Sequence, residues 1–394
     1  MKKPHVLILP SWYPTSENPL NGIFFYEQAK ALRAEGVRVG VVYPQLKSLL
    51  RARSDEIGSN PFRTFFVEEE GIPTLRGLGW FIPKLLPAGM VFLAWAQHLV
   101  HEYVKRFGVP DLVHAHSALW GGVAAFRVQR TLGVPYVLTE HFSGFLEGTI
   151  DSFRTAYAKK AFVGASLVIA VSKPLAEALK KYSVEERKLR VVPNMVDVSF
   201  FTLPPKQRQE TPFRFLTVAF LEGLKGMHIL LQAFAISFGR EKHVRLMVGG
   251  DGPQRSELEE LARRLGIADQ VVFLGLLSRE SVREAMWQAN VFVLPSLVET
   301  FGVVLIEALS TGLPVVATHC GGPEDIVRDG VGILCDPGDV HGLANALVEI
   351  YRDYPTYRKR EAQIRQYAVD AFSSKAVVRS LLDVYEEILS GGRR

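Results

Sequence analysis

The stretch Pro295–Ala317, PSLVETFGVVLIEALSTGLPVVA, holds two carboxylates, Glu299 and Glu307, with one hydroxyl, one glycine and apolar side chains between them. No Lys or Arg follows to balance them before Arg328. An apolar run at Val291–Pro295 reads as a strand, Ser296–Thr300 as a loop, and a helix is expected to begin near Phe301 or Gly302 with Thr300 as its N-cap. A helix start beyond a strand offers unpaired N–H groups and a positive dipole end, which attract phosphate and sugar hydroxyls. Gly302 would let a ligand approach the backbone closely. Glu299 precedes the helix and Glu307 sits inside it, several ångströms further on at about 1.5 Å per residue. That spacing suits one elongated, hydroxyl-rich ligand held at two places; two surface acids are the alternative.

The strand–helix step around this stretch repeats along the chain. Apolar runs read as strands at Val6–Pro10, Val37–Tyr43, Leu112–His116, Tyr136–His141, Leu167–Val171 and Arg190–Pro193 in the first half. In the second half they fall at Phe215–Ala219, Arg245–Gly249, Val271–Gly275, Val291–Pro295, Pro314–Thr318 and Gly332–Cys335. Near-continuous Val/Ile/Leu runs, each followed by a helical pattern, describe parallel strands buried on both faces. Two such series predict an α/β fold of two doubly wound domains facing a cleft, with ligands beyond the carboxyl ends of the strands. The expected domains are residues 1–198 and 199–373, with Asp197–Pro212 as linker and a final helix, 374–390, packing back on the first domain.

The 394 residues are 48% hydrophobic and 22% charged, the balance of a soluble globular protein. Two cysteines, Cys320 and Cys335, suit a reducing cytoplasm better than a disulfide framework. Val6–Pro10 is too short for a signal-peptide core. Leu85–Val100, broken by Pro87 and Gly89, reads as a core or surface-lying helix, since a span needs about 20 apolar residues. Residues 1–198 carry 24 Lys and Arg against 17 Asp and Glu, hence +7, while the remainder carries −2. A basic first half suits anionic partners such as a membrane surface. No basic run is interleaved with aromatics, which argues against nucleic acid.

Histidines close two strands of the first half: His114 and His116 in DLVHAHSALWGG, and His141 in PYVLTEHFSGF. A histidine at the end of an apolar strand is costly unless it faces a site or a partner. His-x-His could also hold zinc, but no Cys or carboxylate cluster completes such a site. The loop after the first strand, LPSWYPTSENPLNGIFFYEQAKAL, carries Trp12 and Tyr13, which could stack on a sugar or anchor the core.

The text from Pro295 to Val327, PSLVETFGVVLIEALSTGLPVVATHCGGPEDIV, closely resembles the signature of the family 4 retaining glycosyltransferases of the GT-B fold. Its marks are Glu299, Glu307, the Gly312–Val315 run and the Gly321–Gly322 turn. The resemblance extends to VVPNMVDVSFF, with Met195 where glycine is usual, and to VGGDGPQRSELEELA. It implies that Glu299 contacts the donor sugar, Glu307 the nucleotide ribose, and the backbone of Phe301, Gly302 and Val303 the sugar and phosphate. In LTVAFLEGLKGMHILLQAF, Lys225 matches the family's phosphate-binding lysine, but Phe220 stands where an arginine is usual. By the same resemblance His116 lies nearest the reacting sugar, His141 is the second histidine of the site, and His114 is structural. Gly22 matches a donor-contacting glycine, with Asn21 where a second one is common.

GGDGPQR lacks the last glycine of a dinucleotide fingerprint, no Walker loop occurs, and no Asp-x-Asp invites a metal-bridged diphosphate. The reading is therefore a metal-independent hexosyltransferase without a cofactor. It would move a sugar, with retention, from a nucleotide diphosphate sugar to a lipid-linked or oligosaccharide acceptor in cell-surface polysaccharide synthesis. The site is cytoplasmic, with an anionic membrane surface as a candidate partner. Two alternatives stand: a non-catalytic sugar-nucleotide-binding protein, which Phe220 would favour, and a nucleotide-sugar epimerase or sugar phosphorylase of the same architecture.

Overall fold

The structure, a computed structural model, describes residues 3–18, 21–51, 63–82 and 88–391. The chain forms two compact units. One comprises the chain up to Val171, Leu175–Val192 and the C-terminus from Val378; the other comprises Ser172–Pro174 and Pro193–Val377.

The first unit is built on an eight-stranded sheet. Its strands are β1 (His5–Pro10), β2 (Arg38–Ser48), β3 (Arg63–Glu69), β4 (Ile72–Phe81), β5 (Leu112–His116), β6 (Tyr136–Glu140), β7 (Leu167–Ala170) and β8 (Leu189–Val191). They lie in the order β3-β4-β2-β1-β5-β6-β7-β8, and only the β3–β4 pair is antiparallel. The strands β1, β5, β6 and β7 are buried along their whole length, as continuous Val/Leu/Ile runs require when helices cover both faces. The chain reverses its direction of sheet-building between β1 and β5, which are neighbours in the sheet.

The β3–β4 hairpin was not among the strands expected from sequence. It turns through Glu70 and Gly71, at φ 48° and 77°, the pair of positive values that a two-residue hairpin turn matching the strand twist demands. The stretch around Leu85–Val100 forms the helix Ala88–Phe107, whose Phe92, Ala96, Leu99 and Tyr103 are buried at helical spacing; residues 83–87 lie outside the described residues. No described helix is long and apolar enough to cross a membrane. The last helix, Ser374–Gly391, buries Val378, Leu381, Val384 and Tyr385.

The second unit holds six parallel strands: β9 (Phe213–Val218), β10 (Val244–Gly249), β11 (Val271–Gly275), β12 (Val291–Leu294), β13 (Val315–Thr318) and β14 (Gly332–Cys335). Their order, β11-β10-β9-β12-β13-β14, is the doubly wound dinucleotide-fold order with its switch point between β9 and β12. Asp197–Pro212, read as the linker, is counted with this unit. Arg365 donates to the carbonyls of Val198 and Phe201, Trp287 to that of Thr202, and the buried Arg208 to that of Thr311. Its lack of periodicity reflects an extended strap held by side chains rather than a solvated connector.

Candidate active site

In the second unit three loops meet beyond the strand ends at the switch point. Leu297 N donates to the carbonyl of Leu224 at 2.8 Å, tying the loop after β12 to the loop after β9. Glu299 N donates to Cys320 O at 3.0 Å and Gly322 N to Glu299 O at 2.8 Å, tying it also to the loop after β13. Gly226, at φ 66°, lies so close to the β12 loop that a Cβ would stand 2.0 Å from the Pro295 carbonyl oxygen. The backbone of Glu299 is thus held on both sides before any side chain is considered.

Within this frame the Lys225 ammonium lies 2.9 Å from the Glu299 carboxylate, both side chains largely buried at 24% and 17% exposure. Lys225 is therefore not a loose loop lysine. The helix after the loop is Val303–Ser310, and its N-cap is Gly302 in the left-handed region at φ 90°; no side chain caps it. Thr300, expected in that role, is too early, because the pairing of Glu299 with Gly321 prolongs the extended chain past the strand. The uncapped start leaves the first N–H groups, from Gly302 and Val303 onward, without a side-chain acceptor among the described residues, and such a start attracts negative charge.

Glu307, on the second turn, keeps some exposure, but its carboxyl is set deeply enough that burial pushes it up to about 7, with Arg279 opposing. The carboxylate has no hydrogen-bond partner among the described residues, so its acceptor capacity is unused. Arg279 escaped notice in the sequence. It opens the helix Arg279–Gln288, stacks over the Phe200 ring at 4.6 Å and lies 3.8 Å from Asp197, but nothing in its own text marks it as more than a surface charge. Phe220, in the loop after β9, is 59% exposed, so an apolar ring is displayed where the resemblance leads one to expect a cation.

In the first unit the ends of β1, β5 and β6 form a second cluster. His116 Nδ1 is 3.2 Å from His141 Nε2, and the Phe25 ring stacks on His116 at 4.5 Å between centroids. Burial holds both imidazoles neutral: His141 falls to about 3 and His116 well below its usual value, with the neighbouring histidines adding to the effect. The outer nitrogens, His116 Nε2 and His141 Nδ1, are buried without a partner among the described residues. Whichever ring donates the shared proton, one of those two outer nitrogens is a donor and the other an acceptor, at opposite ends of the pair.

Glu140 positions this pair and was missed in the sequence. Its buried carboxylate accepts from the backbone N–H of Ala118 and His141 at 2.8 Å and of Phe142 at 2.9 Å. Burial raises its carboxyl, while those N–H donors and the Ser117 side chain pull it down. It clamps the turn after His116, where Ser117 adopts φ 63°, to the turn carrying His141. An acid ending an apolar strand was the available signal. Gly22, at φ 72°, starts the helix Ile23–Ala34 that carries Phe25, and a Cβ there would meet the Trp12 carbonyl oxygen at 2.7 Å. His114 is fully buried, with Nδ1 2.6 Å from the Tyr385 hydroxyl and Nε2 2.7 Å from Thr139 Oγ1. The expected site residues thus fall into two groups: His116, His141 and Gly22 in the first unit, and Lys225, Glu299, Phe301, Gly302, Val303 and Glu307 in the second. No group of three His, Cys, Asp or Glu among the described residues is placed to hold a metal ion.

A family model described as glycosyl transferases group 1 matches residues 200–369, and one described as glycosyltransferase family 4 matches residues 22–200. A Bacillus subtilis protein described as a teichuronic acid biosynthesis glycosyltransferase is 28% identical, covering 87% of this chain and 88% of its own. The N-acetyl-alpha-D-glucosaminyl L-malate synthase of Bacillus anthracis is 25% identical, over 71% of this chain and 75% of its own. Among solved structures, a sucrose-phosphate synthase from Thermosynechococcus elongatus superposes with a TM-score of 0.77 at 22% identity, covering 99% of this chain and 100% of that one. Anabaena HepE in complex with UDP-glucose gives a TM-score of 0.71 at 23% identity, with 97% and 99% covered.

Proposed function

We propose a specific reaction for this chain, which belongs to the family 4 glycosyltransferases: transfer of a sugar, with retention, from a nucleotide diphosphate sugar to a saccharide or lipid-linked acceptor. The observation that carries the donor assignment is the Lys225–Glu299 pair, fixed at the switch point of a doubly wound sheet beside an uncapped helix start. In the free protein the two charges satisfy each other. A bound diphosphate would draw the Lys225 ammonium to itself, supported by the N–H groups of Gly302 and Val303. Glu299 would then be released to accept from the sugar hydroxyls, and Glu307, with its acceptor capacity unused, from the ribose. As the sugar–phosphate bond breaks, negative charge grows on the diphosphate, where Lys225 and the helix start stabilise it most. In the first unit the neutral His116–His141 pair would orient an attacking hydroxyl through one of its two outer nitrogens. Retention follows the front-face course that the family resemblance implies, in which the leaving phosphate takes the proton.

The solved HepE with UDP-glucose and the teichuronic acid enzyme support this donor class and a role in cell-surface polysaccharide synthesis. The test is incubation with a panel of nucleotide sugars and saccharide acceptors, reading nucleoside diphosphate release and, by proton NMR, the anomeric configuration of the product. Release that persists in excess EDTA, with the donor's configuration in the product, is the expected result. Inverted product would overturn retention. Lys225→Ala should lower turnover roughly 10- to 150-fold, the kinetic equivalent of a charge-assisted hydrogen bond of about 1.5–3 kcal/mol. Near-wild-type turnover would mean that backbone N–H groups alone hold the phosphates.

A further inference from the structure

A cavity of about 370 Å³ in the first unit lies apart from the histidine pair and is lined by Tyr13, one of two aromatics in the β1 loop with no role so far. Its floor follows from strand periodicity. Gln45 on β2, Arg76 on β4 and Phe65 on β3 share one face, because Tyr43 pairs with Arg76, Arg76 with Phe65, and Gln45 lies two residues beyond Tyr43. Glu69, four residues along β3 from Phe65, falls on the same face. Arg76 donates to Glu69 Oε1 at 2.5 Å and to the Pro14 carbonyl at 2.9 Å, with its guanidinium 5.2 Å from the Tyr13 ring centre. Tyr26 closes the wall, edge-on to Tyr13 at 6.1 Å.

The Tyr13 hydroxyl is sealed behind the wall, with no hydrogen-bond partner among the described residues. The half-buried Gln45 carboxamide at the cavity has none among the described residues either. A polar group drawn half out of water without a partner favours a ligand that supplies one. Charge decides the ligand class. Arg76 is neutralised by Glu69, whose second oxygen would repel phosphate or carboxylate. What remains is the Glu69 carboxylate edge, which accepts from Thr74 Oγ1 at 3.2 Å and keeps further lone pairs, and the Gln45 carboxamide, both beside aromatic rings, a set that pairs with adjacent hydroxyls and covers an apolar ring face. The volume is that of a small-molecule pocket. The segments that line the cavity also hold the histidine pair: Tyr26 follows Phe25, which stacks on His116, and Ser11, two residues before Tyr13, donates to the His116 carbonyl at 2.8 Å.

We propose that this cavity is a subsite for an uncharged sugar ring of the acceptor, an inference that rests on the transferase reading above. Two arms separate its failure from failure of that reading. In the first, saturation-transfer NMR uses methyl glucosides, methyl galactosides and cellobiose as probes, without nucleotide. The wild type should give signals from at least one probe, with affinity reduced about 3- to 10-fold in Gln45→Leu and in Glu69→Gln, as loss of one neutral or charged hydrogen bond implies. Signals unchanged in both variants, or absent with every probe in the wild type, overturn the subsite. In the second arm, donor hydrolysis without acceptor should be unaltered in Gln45→Leu while the acceptor KM rises by the same factor. A changed hydrolysis rate with an unchanged acceptor KM would overturn it. If the wild type consumes no nucleotide sugar, the transferase reading falls whatever the probes show.

Discussion

Glu307 shows how one residue can make the site pH-sensitive. Burial raises its carboxyl from 4.5 to about 7, so near neutral pH it is only partly ionised. A ribose hydroxyl donates to the ionised form, so nucleoside diphosphate should bind about 10-fold more tightly at pH 8 than at pH 6. Calorimetry across that range checks this, and Glu307→Gln should flatten the profile. An equally steep profile in that variant would take the ribose role from Glu307. The effect on stability has the opposite sense. Between 4.5 and about 7 the native state keeps a proton that the unfolded chain has released, so this group lowers stability as pH rises through that window. The buried histidines act the other way. His114 and His141, both lowered to about 3, and His116 stay neutral where the unfolded chain takes up protons below 6.5, so stability falls on acidification. Burial lowers His5 too, so four such groups stand against the raised carboxyls of Glu307 and Glu140, and acid lability dominates below 6.5.

At the level of elements, His114 is the tie that fastens the last helix to the first sheet. Its neutral ring joins Thr139 on β6 to Tyr385 on the helix Ser374–Gly391, and Gln28 stands a weak 3.4 Å away. Tyr385→Phe keeps the ring packing and deletes only the hydroxyl, leaving a buried nitrogen poorly paired at a cost of about 1–3 kcal/mol. Scanning calorimetry should show a lower Tm for the transition of the first unit, and an unchanged Tm would show that Gln28 takes over the bond. The helix itself was legible, because Val377, Leu381, Leu382, Tyr385 and Ile388 repeat at helical spacing. So were the strands of both sheets, since burial on two faces leaves unbroken apolar runs. The β3–β4 hairpin was not. The half-exposed β3 mixes Arg, Thr and Glu with aromatics, the mostly buried β4 is broken by Pro73, Arg76 and two glycines, and the turn is Glu70–Gly71 rather than an Asn-Gly or Asp-Gly pair. The Glu299 and Glu307 pair stood out because nothing around it is charged. Arg279 did not, because its contacts are with residues distant in the sequence, and Glu140 did not, because its clamp depends on reaching Ala118, 22 residues earlier. Thr300 misled for a related reason: a bridge to Gly321 moved the helix start two residues on.

For the whole chain, the uneven charge bears on where the reaction takes place. Residues 1–198 carry +7 and the rest −2, although no described helix is long and apolar enough to cross a membrane. Within the first unit the helix Ser152–Gly164 shows how such charge could reach a lipid surface. Lys159 and Lys160 are exposed on it, together with Phe153 at 58% and Val163 at 56% exposure. Basic residues beside an anionic leaflet contribute about 1 kcal/mol each, and exposed apolar side chains add to this by entering the interface. A lipid-linked acceptor would make such docking useful, since its sugar would be presented at the membrane surface. The expected outcome is sedimentation with phosphatidylserine-containing vesicles at low salt and little with phosphatidylcholine alone. At 1 M salt the Debye length falls to about 3 Å, and binding should be lost. Lys159→Glu with Lys160→Glu should weaken vesicle binding roughly 30-fold or more, by the loss of two favourable charges and the gain of two unfavourable ones. Donor hydrolysis in solution should not change, because neither lysine belongs to the site. Equal sedimentation with both vesicle types, or with neither, would reduce the +7 to ordinary solvated charge and favour an acceptor that diffuses free of the membrane.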